Sequence, residues 1–161
     1  MIIRDHHGSC LVACRQVFEG IQSPEHAEAL ALRRAVELAR DEGMDKVIFE
    51  SLSLVQRLNS SSPDRSTVVA GIKQLAVCFS SVSFRHVKCL LNKAAHILAK
   101  SCNSLNSNSI SYSVPDCIRE TLCIHVISAI SCPKKKTDPP TCSLLAWSST
   151  RKKELDPRAL A

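Results

Sequence analysis

The sequence predicts an α/β domain, and three observations carry the prediction. Ile2 to Phe18 reads as two short apolar runs around a polar turn closed by Gly8. Ser23-Pro24-Glu25 opens a stripe of Ala and Leu at helical spacing, and a nearly continuous apolar run, Lys46-Val-Ile-Phe-Glu-Ser51, follows it. Strand-period and helix-period segments in alternation place strands under crossover helices.

Each element has its own signal. Ile2 to Arg4 and Cys10 to Phe18 flank Asp5-His-His-Gly8 as a hairpin. The first of these strands is shorter than the usual five or six residues, so a further strand is expected upstream. Ser23 is a hydroxyl cap, Pro24 stands at the first helical position, and Glu25 meets the positive end of the dipole. The helix they open should run to about Asp41, burying Ala27, Leu30, Ala31, Ala35 and Leu38, with Gly43 as its stop. Lys46 to Ser51 should be a buried strand parallel to its predecessor in a βαβ unit. Ser53 to Leu58 reads as a short helix, and Arg65 to Ala76 as a longer one with Val68, Val69, Ile72 and Leu75 inward. Phe79 to Lys88 follows as a strand and Asn92 to Ser101 as the closing helix. Beyond residue 101, a Ser- and Asn-rich linker leads to the apolar stretch Ile118 to Ile130, and Ser131 to Ala161 has the composition of an unstructured tail.

Composition sets the limits. The 161 residues suffice for one domain, and 45% hydrophobic with 22% charged side chains is a globular balance, though 4% aromatic is thin for a core. Net charge is +6, unevenly spread: residues 131–161 hold seven basic and three acidic side chains, so residues 1–130 are nearly neutral. The triplets Lys134-Lys-Lys136 and Arg151-Lys-Lys153 read either as a localisation or phosphate patch or as a solvated tail. Nine cysteines, an odd count without a CxxC pair, argue against a disulfide framework and a zinc ribbon, and point to a reducing intracellular compartment, nucleus or cytoplasm. No run reaches the 18 or so apolar residues of a membrane span. The adjacent His6 and His7 make a poor metal clamp and read as a surface turn, and His26 reads as a surface residue of the first helical turn.

Three strings, taken in order, resemble one family: Arg4-Asp-His-His-Gly8, Pro24-Glu-His-Ala-Glu-Ala-Leu-Ala-Leu-Arg33, and Phe84-Arg-His-Val87 followed by Asn92-Lys-Ala-Ala-His-Ile-Leu-Ala99. Residues 1–101 resemble the ribonuclease H-like domain, type 1, of plant retrotransposon-derived proteins. Residues 102–130 then form a linker and apolar extension, and 131–161 a basic tail. The resemblance implies a mixed five-stranded sheet with flanking helices. It also implies a metal-dependent endonuclease that cuts the RNA strand of an RNA/DNA hybrid. Two Mg²⁺ ions about 3.5 to 4 Å apart need several carboxylates converging on one small site.

Carried over residue by residue, the pattern is only partly met. Glu28 stands at the position of the helix glutamate and is the expected catalytic and metal-binding acid. The family's first, central strand and its aspartate have no counterpart, because Met1 falls in what resembles the second strand; Asp5 belongs to the turn and does not replace it. The fourth-strand motif Glu-Ser-Asp reads Glu50-Ser51-Leu52, leaving Glu50 as the possible metal ligand there. His96 matches the late position as auxiliary ligand or proton carrier, or else is a helix histidine packed on the sheet. Cys89 replaces a basic loop residue. Arg33, Arg34, Lys88, Asn92 and Lys93 are the expected nucleic-acid contacts.

The expected function is therefore nucleic-acid binding with impaired hydrolysis of hybrids. The alternatives are a non-catalytic binding or interaction module and an inert retroelement remnant. An absent central strand would leave two edges open to self-association, unless Leu122 to Ile130 fills the gap.

Overall fold

The computed structural model describes residues 1–62, 64–88, 92–102 and 108–122, and the backbone of 142–145. Its strands are β1 (Ile2–Arg4), β2 (Cys10–Gln16), β3 (Lys46–Ser51), β4 (Ser81–His86), β5 (Asn108–Ser111) and β6 (Cys142–Leu145). Its helices are α1 (Pro24–Asp41), α2 (Val55–Asn59), α3 (Thr67–Ala76), α4 (Lys93–Lys100) and α5 (116–122). Up to α4, the elements expected from the sequence are present in order, with ends that differ by a few residues.

Local chemistry explains the boundaries. The Asp5 carboxylate accepts the amides of His7 and Ser9 at 2.9 and 2.8 Å, and Gly8 takes the positive φ of 86° that closes the hairpin. Asp5 is thus a builder of the turn, and His6 and His7 lie exposed at its tip. Ser23 Oγ accepts the His26 amide at 3.1 Å to cap α1, and Gly43 ends the helix region with φ 68°.

Alternate residues of the strands feed two cores on opposite faces of the sheet. Ile3, Val12, Cys14, Val47 and Phe49 pack beneath α1 and α3. Ile2 and Ala13 pack with Ala94, Ala95 and Leu98 of α4 and Ile118 and Leu122 of α5. Alanines at 27, 31, 35 and 39 on the buried side of α1 let its backbone approach the strands.

The sheet order is β4-β3-β6-β1-β2-β5. β1 is antiparallel to both β2 and β6, and β3 is parallel to both β4 and β6. β3 therefore runs in the same sense as β2, with two strands, β6 and β1, between them. This corrects two expectations. The position between β1 and β3 is filled, and by Cys142–Leu145 rather than by Leu122 to Ile130; Leu122 lies in α5 and residues 123–130 lie outside the described residues. The two central edges are thereby paired, so the expected self-association through uncovered edges loses its ground. A strand also stands within the stretch read as unstructured, at the apolar pair Leu144-Leu145, and Asn108–Ser111 of the expected linker forms an edge strand on β2.

Candidate functional site

The residue that the resemblance singles out is held at the carboxyl end of β3. Glu28 enters from the first turns of α1 and is 8% exposed. Its Oε1 accepts three hydrogen bonds, from Ser51 Oγ at 2.7 Å, the Leu52 amide at 2.6 Å and the Ser53 amide at 3.2 Å. Its Oε2 accepts one from the Ser53 hydroxyl. Ser51, fully buried, passes the network on by accepting the Leu54 amide at 3.3 Å ahead of α2. Both carboxylate oxygens are therefore spent on ordering the turn between β3 and α2.

Glu50 is one residue from Ser51 and so projects from the opposite face of β3. There its Oε2 accepts from Arg4 Nη2 at 3.0 Å, an ion pair that reaches from β3 to β1 across the strand between them. Burial pushes the Glu50 carboxyl above its usual range, outweighing the opposing pull of the Arg4 guanidinium. The folded chain consequently holds this proton more tightly than the unfolded chain. The group's contribution to stability falls as pH rises above the ordinary carboxyl value of 4.5. Glu50→Gln carries no such titration. The difference in thermal midpoint, variant minus wild type, is expected to climb from about pH 4 to about pH 7; a pH-independent difference would mean that Glu50 ionises as it does in the unfolded chain.

His96 lies on α4, across the sheet from α1, partly buried. Burial first, and Lys100 second, hold its imidazole below the usual range. Glu28, Glu50 and His96 are thus distributed over both sides of the sheet, and no group of three His, Cys, Asp or Glu side chains suited to a metal ion occurs among the described residues. The Mg²⁺ site implied by the resemblance does not fit this donor set. Leu52 offers no ligand, Glu28 accepts four hydrogen bonds from the turn after β3, and Glu50 is paired with a cation on the other face.

The expected nucleic-acid contacts also divide. Arg33 and Arg34 both bond Glu37, at 3.1 and 3.5 Å, on α1. Asn92 is buried, so it is withdrawn from the surface on which a phosphate would land. Lys88 and Lys93 are exposed and form no ion pair among the described residues. Lys88 sits beside the site: the preceding amide, Val87 N–H, donates to Ser51 O at 3.1 Å. Carboxyl ends of parallel strands are the common ligand-binding edge of α/β sheets, and here Lys88 brings positive charge to that edge. Cys89 lies outside the described residues.

Sequence reasoning missed Arg15, which with Arg34, Gln16 and Asn108 lines a groove of about 460 Å³ where β2 meets β5. Its only signal was alternation: Cys14 faces the α1 core, and its neighbour in the strand does not. Among the described free thiols, Cys14 is buried and Cys78 and Cys117 are exposed, none in a disulfide. None of the described helices is long and apolar enough to cross a membrane.

Residues 1–102 match the reverse transcriptase-like family. No curated protein and no solved structure matches the chain.

Proposed function

The chain belongs to the reverse transcriptase-like family, a ribonuclease H-like family, and from that premise we propose that it binds an RNA/DNA hybrid without cutting it efficiently. The family carries the nucleic-acid reading, and the mixed sheet with its flanking helices agrees with it. The observation behind the loss of hydrolysis is the engagement of Glu28. The carboxylate that would have to hold metal accepts four hydrogen bonds from Ser51, Leu52 and Ser53 instead. Type-1 membership, descent from a plant retroelement and action in nucleus or cytoplasm belong to the same proposal.

Binding would fall to Lys88 and Lys93. Both are exposed without a carboxylate partner among the described residues, whereas Arg33 and Arg34 share Glu37. A phosphate contact of this kind releases counterions, at a slope of about 0.9 per phosphate for a duplex. Affinity for a labelled hybrid is therefore expected to fall steeply with salt. Lys88→Ala with Lys93→Ala should flatten the log-log slope by about two. In the same tubes, Mg²⁺ should produce no efficient cleavage. Cleavage abolished by Glu28→Gln would overturn the catalytic half of the proposal, and salt-insensitive binding the other half.

A further inference from the structure

The strand at the centre of the sheet comes from the far end of the sequence. β6 lies 138 residues or more from β1 and follows 19 residues of chain, 123–141, after α5. All four of its residues are in register with β3, and three with β1. Without it, β1 and β3 would face one another across a gap one strand wide, each with a row of unpaired backbone donors and acceptors. The residues flanking that gap are among the most deeply buried in the protein. Ile2, Ile3 and Phe49 are fully buried and Val47 is 1% exposed. An edge of this kind does not stay empty in water.

We propose that the gap between β1 and β3 is a strand-binding site, filled by the chain's own Cys142–Leu145 as a displaceable donor strand. The recognition is mainly backbone pairing, antiparallel to β1 and parallel to β3, the chemistry of strand addition. Register adds a side-chain rule. Position 144 is opposite Ile3 on one side and Phe49 on the other, both of which belong to the apolar core beneath α1. Positions 143 and 145 are opposite Arg4 and Glu50 respectively, whose 3.0 Å ion pair closes over the other face of the gap. The site therefore selects an extended segment with an apolar residue at the central position and no charge beside it. Cys142-Ser143-Leu144-Leu145 meets that rule, and the Lys- and Arg-rich stretches on either side of it do not.

Attachment through a tether gives such a strand an effective concentration of the order of millimolar. A free peptide of the same sequence cannot compete at micromolar levels, but can enter once the tethered strand is disabled. The inference is independent of nucleic-acid binding and of any catalytic role for Glu28.

The test uses the full chain. Hydrogen exchange read by mass spectrometry should show amides of 142–145 protected together with those of β1 and β3. Leu144→Asp places a charge at the register position between Ile3 and Phe49. It should speed exchange of 142–145 by about 100-fold or more and strip protection from the facing edges of β1 and β3. A synthetic peptide of residues 140–147, added at about millimolar concentration, should restore protection saturably; the same peptide with Asp at the Leu144 position should not. Free exchange of 142–145 in the wild type while β1 and β3 stay protected would overturn the proposal. So would unchanged β1 and β3 protection in Leu144→Asp. If that variant unfolds as a whole, rescue by the peptide supports the proposal and failure of rescue overturns it. A concentration-dependent dimer in light scattering, with 142–145 protected only in the dimer, would assign the strand to a second copy and overturn the own-chain assignment.

Discussion

Glu28→Ala is expected to destabilise the fold by about 3 kcal/mol and to lower the thermal midpoint by about 10 °C. The side chain is nearly buried and its two oxygens satisfy the Ser51 hydroxyl, the Leu52 and Ser53 amides and the Ser53 hydroxyl. Truncation strips the acceptor from all four donors, and a buried donor left unsatisfied costs about 1 to 3 kcal/mol. The sum is not additive, because the Ser53 end of the turn is partly exposed and water can replace some of what is lost. Glu28→Gln keeps an oxygen at one of the two positions and should cost roughly half as much. The sign of the effect separates two roles. An acid held for metal chemistry is a strained, repulsive group in the free protein, and its removal commonly raises stability. An acid that organises a turn does the reverse. Thermal unfolding of wild type, Glu28→Ala and Glu28→Gln, each with and without Mg²⁺, makes the comparison. We expect the order wild type, Gln, Ala and no movement of the wild-type midpoint on adding Mg²⁺. A more stable Ala variant, or a midpoint raised by Mg²⁺, would return Glu28 to a metal-binding role.

Much of the fold was legible because local signals and the global arrangement agree from Ile2 to Lys100. Ser23, Pro24 and Glu25 marked the start of α1, and the continuous run Val47-Ile-Phe marked a strand covered on both faces. The centre of the sheet was not legible. A strand of four residues has no periodicity to speak of, and Leu144-Leu145 is surrounded by Ser, Pro, Thr and Lys, a composition that signals a tail. Its pairing with β1 and β3 is set by contacts more than 90 residues away in sequence, which no local pattern encodes. Asn108–Ser111 escaped for a related reason: an edge strand needs only backbone pairing with β2, and polar residues serve there.

The site was legible as a list and illegible as a geometry. Glu28, Glu50 and His96 were chosen as residue types at family positions. Whether three such groups converge depends on which face each occupies. For Glu50 the alternation of β3 decides it, since Ser51 meets Glu28 beneath α1 and Glu50 must then meet Arg4 on the far side. Asn92 shows the same limit. It was expected as a nucleic-acid contact, but at the start of α4 it is buried. Only Lys88 and Lys93 combined the expected charge with exposure and the absence of a carboxylate partner among the described residues.

Phe49→Ala is expected to cost about 4 kcal/mol, a large share of the 5 to 15 kcal/mol by which a domain of ordinary stability holds together. The composition warns of few aromatic anchors, with four Phe, one Tyr and one Trp in the whole chain. The fold answers by concentrating the phenylalanines. Phe49 stacks on Phe84 at 5.5 Å and meets Phe79 edge-on at 5.8 Å, and Phe18 packs on the same core. Each such ring pair adds about 0.5 to 1.5 kcal/mol beyond area burial. Phe49 is the fully buried member, on β3, with β4 on one side and β6 on the other, so its removal opens a cavity bordered by three strands and by α1. Backbone strands cannot close on such a space as freely as side chains in a loop, which places the loss toward the upper end for a deleted ring. Phe84 is partly exposed on the edge strand and its truncation should cost about half as much, because solvent already reaches one side of it. Urea unfolding of the two variants gives the comparison directly. A Phe84→Ala loss equal to or above that of Phe49→Ala would move the centre of the core to the sheet edge. The predicted order keeps it under α1, beside the register position that Leu144 occupies.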